Sequence, residues 1–218
     1  MKPFEPLLQI LLNNIFGIAI LIGFFILIKF VASAKFKGWF GERIVQKAFQ
    51  ALDPATYQVH HDLYLPRPDG KGSTQIDHVV VSGYGIFVIE TKNYKGWIFG
   101  DEHQAKWTQQ IYQKKSRFQN PLHQNALHVR ALAKALGLNE DRFNSIVFFI
   151  GDCTFKTPMP ENVMNRGLST YIRAQQVMKL TPPELDQAKS FLSHLDRTTN
   201  RSIASREHLA DLKVRHGG

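Results

Sequence analysis

The segment QIDHVVVSGYGIFVIETKNYKGW, Gln75 to Trp97, constrains this chain more than any other stretch. Two apolar runs flank Gly83-Tyr84, the pattern of a β-hairpin. A turn centred there pairs Val81 with Ile86 and, by continuation, Asp77 with Glu90 and Gln75 with Lys92. Residues two apart on a strand share a face, so all four polar groups would project from one patch. Directly opposed Cβ atoms would lie about 4.5–5.5 Å apart, and a one-residue slip would turn Asp77 to the other side.

Two carboxylates placed this way repel each other and lose hydration among Val, Ile and Phe. The arrangement is costly unless one is protonated or a cation lies between them. Oxygen ligands without thiolates suit a hard cation, Mg2+ or Mn2+. Charged Lys92 is no ligand, but it can orient an attacking water or stabilise charge developing on a phosphate. Metal, lysine and water together suit phosphodiester hydrolysis. The ordinary alternative is a pair of solvated strand-end acids, or acids paired with the neighbouring lysine.

Around the hairpin the order of elements reads α-β-β-β-α-β, which predicts an α/β fold with a mixed sheet flanked by helices. GERIVQKAFQALD sets Ile44, Val45, Ala48, Phe49 and Leu52 on one helical stripe that Asp53-Pro54 ends. YQVHHDLYLP reads as a strand closed by Pro66. NPLHQNALHVRALAKALG announces a helix, with Asn120 as N-cap, Pro121 at the first position and Gly137 as C-cap. NSIVFFIGD is a short buried strand, a further strand is expected near Tyr171, and Thr181 caps a last long helix. KWTQQIYQKKSRFQ shows no clean period.

Residues 7–28 form a run of 22 without a charge, long enough at about 1.5 Å per residue to cross a hydrocarbon core of about 30 Å. The competing reading is a cleaved signal peptide, with VASA at Val31–Ala34 as the cleavage site. Lys29, Lys35, Lys37, Arg43 and Lys47 follow the run and only Lys2 precedes it, so an anchor would leave the rest of the chain in the cytoplasm. The expected organisation is a membrane anchor with basic flank over residues 1–35, a core over 36–150 and a mostly helical extension over 151–218. The net charge of +9 favours a polyanionic partner, nucleic acid or anionic lipid. The single cysteine, Cys153, excludes an intrachain disulfide and a cysteine-rich zinc site.

I–D–x12–E–x–K on a hairpin resembles the core of the PD-(D/E)xK nuclease superfamily, whose fold is restriction-endonuclease-like. GERIV, HDLYLP, QIDHVVVS, GIFVIETKNYKGWI and NPLHQNALHV resemble, in order, the motifs of its nuclease-related domain, NERD, over roughly Gly38 to Phe149. Ile76 stands where the superfamily's name has proline. The resemblance implies a Mg2+- or Mn2+-dependent nuclease in which Asp77 and Glu90 bind the metal and Lys92 assists the water. It implies that Glu42 stands near the metal and that Gln75 supports Lys92 or a scissile phosphate. Gln124 and His128, four apart and so on one helix face, resemble a Q-x3-Y element with His in place of Tyr.

Lys106, Lys114, Lys115 and Arg117, interleaved with Trp107, Tyr112 and Phe118, either grip a phosphate backbone and stack bases or form a solvated face over core aromatics. His60 and His61 point to opposite faces of a strand and read as surface histidines, with His78 facing away from Asp77. Three functions follow: a membrane-tethered nuclease acting on DNA or RNA, a nuclease-fold module that binds or senses nucleic acid, and a lipid-surface scaffold.

Overall fold

The computed structural model describes residues 22, 24–25, 43–198, 205–206 and 208–210. The chain divides into two compact units, residues 1–43 and 44–218. Among the described residues no helix is long and apolar enough to cross a membrane. The expected span, residues 7–28, lies outside them apart from Ile22, Phe24 and Phe25, which are helical and exposed.

The second unit is a mixed α/β fold with two sheets. Helix α1, described over residues 43–50, turns Val45 and Phe49 inward and is followed by the buried Leu52. Strands β1 (Gln58–Pro66), β2 (Ser73–Ser82) and β3 (Gly85–Lys92) follow as an antiparallel meander. Strands β4 (Gly96–Phe99), β5 (Lys106–Ile111) and β6 (Lys114–Gln119) form a separate antiparallel unit. Helix α2 (Pro121–Leu136) then returns the chain to β7 (Phe143–Phe149), parallel to β3. Short strands β8 (Cys153–Phe155) and β9 (Val163–Met164) and helices α3 (Leu168–Ala174) and α4 (Pro182–Thr198) complete it. The sheet orders are β1-β2-β3-β7-β9 and β6-β5-β4-β8.

The expected α-β-β-β-α-β order is present as α1-β1-β2-β3-α2-β7, with β4–β6 inserted before α2. The segment without a clean period is the β5–β6 hairpin, joined by the two-residue turn Tyr112-Gln113, which has no glycine to mark it. The strand expected near Tyr171 is helix α3 instead; Leu168 and Ile172, four apart, are its buried residues.

Strand β3 explains the core. Ile86 and Val88 face α2 and α4, while Phe87 and Ile89 face α1 and α3. All four are fully buried, and each contributes about 1.5–3 kcal/mol by leaving water. Helix α2 is held by both its caps. Asn120 Oδ1 accepts from the Leu122 amide at 2.9 Å, and Gly137 takes the left-handed conformation, φ 65°. At α4, the Thr181 amide and hydroxyl both donate to Glu184 Oε2, at 2.7 and 2.8 Å.

Candidate functional site

The site grows from a fault in the sheet. The β2–β3 ladder runs in the expected register from Ser82–Gly85 to His78–Ile89 and stops one pair short of Asp77 and Glu90. On its other side, the β1–β2 ladder skips the Asp62–Asp77 position, where Asp62 adopts φ 52°. Asp tolerates that left-handed conformation better than most residues. Strict alternation would put Ile76 and Val79 on opposite faces, yet both join the core cluster under α2. The strand therefore turns over at Asp77.

Where β2 and β3 part, the Asp77 carboxylate replaces the missing backbone partner. Its Oδ2 accepts from the Thr91 amide at 2.9 Å and from the Thr91 hydroxyl at 2.8 Å. Oδ1 takes no hydrogen bond from a described residue, and Asp77 lines a cavity of about 200 Å3 with Thr74, Gln75, Gln119, Gln124 and His128. Glu90 is buried at 3% exposure. Lys92 Nζ donates to its Oε1, and His128 Nε2 donates to its Oε2 at 3.0 Å. Lys92 Nζ also donates to Gln124 Oε1 at 2.9 Å, and His128 Nδ1 meets Thr74 Oγ1 at 2.9 Å.

The two acids are driven apart electrostatically. Burial, then the neighbouring Glu90 charge, pushes the Asp77 carboxyl up to about 6, against the smaller effect of Thr91 and Lys92. For Glu90 burial acts upward most strongly, but the His128 hydrogen bond and the Lys92 ammonium together hold its carboxyl below the usual value. Glu90 is thus a settled anion with two cationic or donor partners. Asp77 has the two Thr91 donors but no cation bonded to it among the described residues.

Asp77, Glu90, Lys92, Gln124 and His128 are therefore brought together. Gln75 lines the same cavity, but the parting strands take it away from Lys92. Its Nε2 donates to Asp62 Oδ1 at 3.1 Å, and Gln124 supports Lys92 in its place. His128 is 3% exposed, bonded to Glu90, and lines the cavity. Glu42 lies outside the described residues. Lys106, Lys114, Lys115 and Arg117 stand exposed on the β5–β6 hairpin. Trp107, expected beside them as a stacking ring, is fully buried and stacked on Phe149, while Phe118 packs on Tyr94. Tyr112 is 94% exposed.

His60 is not a surface histidine, and His61 is half-buried. His60 is 2% exposed and bonds Asp196 at 2.6 Å, and His61 meets His78, Nδ1 to Nδ1, at 2.7 Å. Burial, then His61, holds His78 down at about 3, so the ring is neutral. Sequence reasoning missed Thr74, Thr91 and Asn125. Asn125, one residue after Gln124 and three before His128, reaches Val88 O, Ser145 Oγ and Ile146 O with Nδ2 at 2.8, 2.8 and 3.0 Å. It fixes α2 on β3 and β7. The signal was present as a polar residue on the apolar face of an amphipathic helix.

Oxygen donors suit a hard divalent cation here: Asp77 lines the cavity with one carboxylate oxygen bonded to Thr91, and Glu90 stands behind it with its oxygens on Lys92 and His128. Among the described residues no cluster of three or more His, Cys, Asp or Glu surrounds the pair. Mg2+ is commonly bound through one or two carboxylates with waters and substrate phosphate, so a two-acid site suffices.

The family model for the nuclease-related domain matches residues 37–150. This chain belongs to the nuclease-related domain (NERD) family. At the family level that assigns a nuclease-like fold and points to phosphodiesterase chemistry. An uncharacterised protein of Bacillus anthracis is 50% identical over 98 residues, 45% of this chain and 46% of its own. The chain thus spans about half the length of that relative. The crystal structure of a protein of unknown function matches at 11% identity and a TM-score of 0.29, over 83% of this chain and 99% of that one, a likeness too weak to bear on the fold.

Proposed function

We propose that this NERD protein is a metal-dependent nuclease that hydrolyses phosphodiester bonds of DNA or RNA. One observation carries the reading: the Asp77 carboxylate lines a cavity beside the buried Glu90, with the Lys92 ammonium fixed on Glu90 Oε1. Two acids held close together and away from water are costly to a fold, and a bound cation offsets that cost.

Asp77 and Glu90 would hold Mg2+ or Mn2+. Bound there, the ion supplies Lewis-acid polarisation of a phosphoryl oxygen and a water made more acidic. Hydrolysis joins the water oxygen to phosphorus and breaks the P–O ester bond, with one proton released from the water and one taken by the leaving oxygen. Lys92, steadied by Gln124, is placed to orient that water or to meet charge growing on the phosphate. His128, steadied by Thr74, fixes the second oxygen of Glu90. Gln75 and Gln119 on the cavity wall are donors for the phosphate. Glu42 is a further candidate beside the metal. The uncharged run at residues 7–28 would anchor the enzyme to a membrane, and its basic flank would keep the folded unit on the cytoplasmic side.

The test is incubation of the full chain with single- and double-stranded DNA and with RNA, in Mg2+, Mn2+ or EDTA. Cleavage is expected with metal and lost in EDTA, Asp77→Asn and Lys92→Met. Binding without cleavage under every metal condition would replace the enzyme by a nucleic-acid-binding module.

A further inference from the structure

The second sheet carries a feature the hydrolytic site does not use. Pairing fixes which side chains share its outer face, because directly opposed residues project the same way. Trp97 lies opposite Gln110 on β5 and beside Thr154 on β8, and Gln110 lies opposite Lys115 on β6. One pleat away, Arg117 lies opposite Thr108, and Lys106 lies opposite Gln119. The inner face holds the fully buried Ile98 and Trp107. The outer face is basic: Lys106, Lys115 and Arg117 are exposed, and Trp97 among them is 48% exposed.

Three details separate this face from an ordinary solvated one. Lys156 Nζ sits 4.6 Å from the Trp97 ring centroid, which places one more cation beside the indole. Trp97 lines a concavity of about 510 Å3 with Gln110, Ile111, Tyr112, Asp152 and Thr154. Tyr112, at the left-handed first position of the β5–β6 turn, is almost fully exposed and presents its ring at the edge of this concavity. The face is also continuous with the site. Gln119, at the end of β6, lines the Asp77 cavity and shares the outer face with Arg117 and Lys115. From Gln119 to Lys115 is about 14 Å at about 3.4 Å per residue.

We propose that this outer face is the docking platform for single-stranded nucleic acid. Trp97 and Tyr112 stack bases, and Gln119, Arg117 and Lys115 form the phosphate track that leads into the cavity. The proposal deepens the nuclease reading and rests on it for the strand's destination. Duplex is disfavoured because paired bases do not offer their faces to a tryptophan on a sheet.

Fluorescence anisotropy of the full chain in detergent, with a labelled oligo-dT and a labelled duplex in EDTA, tests it. Trp97→Ala should weaken single-strand binding about five- to a hundredfold. It should leave duplex affinity and the salt slope unchanged, and Trp97→Phe should recover most of the loss. Tyr112→Gly, which relieves the left-handed backbone, should weaken binding while keeping the melting temperature. Lys115→Ala and Arg117→Ala should each reduce the slope of log affinity on log salt by about 0.7. Equal oligo-dT affinity in the parent chain and Trp97→Ala would overturn the proposal. Loss of phosphatidylserine-vesicle binding instead of oligonucleotide binding would overturn it in favour of a lipid surface. A chain that binds through Trp97 but never cuts sinks the nuclease reading alone; one that cuts but binds without Trp97 sinks this proposal alone.

Discussion

Replacing Asp77 by asparagine should stabilise the metal-free protein, and the gain should depend on pH. In the fold the Asp77 carboxyl is raised from 3.8 to about 6 by burial and by Glu90. Each pKa unit corresponds to about 1.36 kcal/mol, so ionised Asp77 costs about 3 kcal/mol above pH 6. Between about 3.8 and 6 the folded state binds more protons than the unfolded one, so this contribution improves stability as pH falls and is complete below about 4. Asparagine keeps an oxygen for the Thr91 amide and hydroxyl, so the local hydrogen bonds survive. For a domain of this size about 3 kcal/mol is a rise of about 6–12 °C in Tm. Circular dichroism melts of the two proteins in EDTA, from pH 4 to pH 8.5, measure it. Asp77→Asn should melt higher at pH 8, with the difference shrinking towards pH 4. Equal destabilisation at every pH would refute the reasoning, because Asp77 would then be a structural acceptor and not a strained anion.

Glu90→Gln should act in the opposite direction. It strips the charge from a buried acceptor that Lys92 and His128 both use, costing about 2–4 kcal/mol in urea unfolding, with the stability of the parent lost as pH falls through the lowered Glu90 pKa. Lys92→Met should abolish cleavage at least about a hundredfold while leaving divalent-ion affinity equal or higher, since it removes a cation from Glu90 Oε1; calorimetric titration with Mn2+ separates the two effects. Gly100→Ala should destabilise by about 1–3 kcal/mol, because a Cβ there would lie 2.2 Å from the fully buried Trp107 ring, and urea midpoints would show it.

Local chemistry made much of this fold legible. The apolar runs around Gly83-Tyr84 set the β2–β3 register, and Asn120, Pro121, Gly137 and Thr181 marked helix ends where the backbone puts them. The Asp77, Glu90 and Lys92 cluster followed from the same register. The parting of β2 and β3 did not. It arises from Asp62 turning left-handed on a third strand and from Thr91 reaching across, both non-local events. Gln75 was consequently assigned to Lys92 and found at Asp62. His60 looked like a surface residue because its partner, Asp196, is 136 positions away. The β5–β6 hairpin was hidden because Tyr112 occupies a left-handed turn position that usually calls for glycine. Its Trp107 and Phe118 face the core, and the exposed ring, Trp97, sits on the neighbouring strand.

Mn2+ binding followed by electron paramagnetic resonance on the full chain most directly tests whether Asp77 and Glu90 grip one ion between them. The account predicts a single site per chain that disappears in Asp77→Asn and weakens about tenfold per pH unit below about 6, as Asp77 takes up its proton. An unchanged site in Asp77→Asn, or no binding to the parent chain at pH 8, would contradict it.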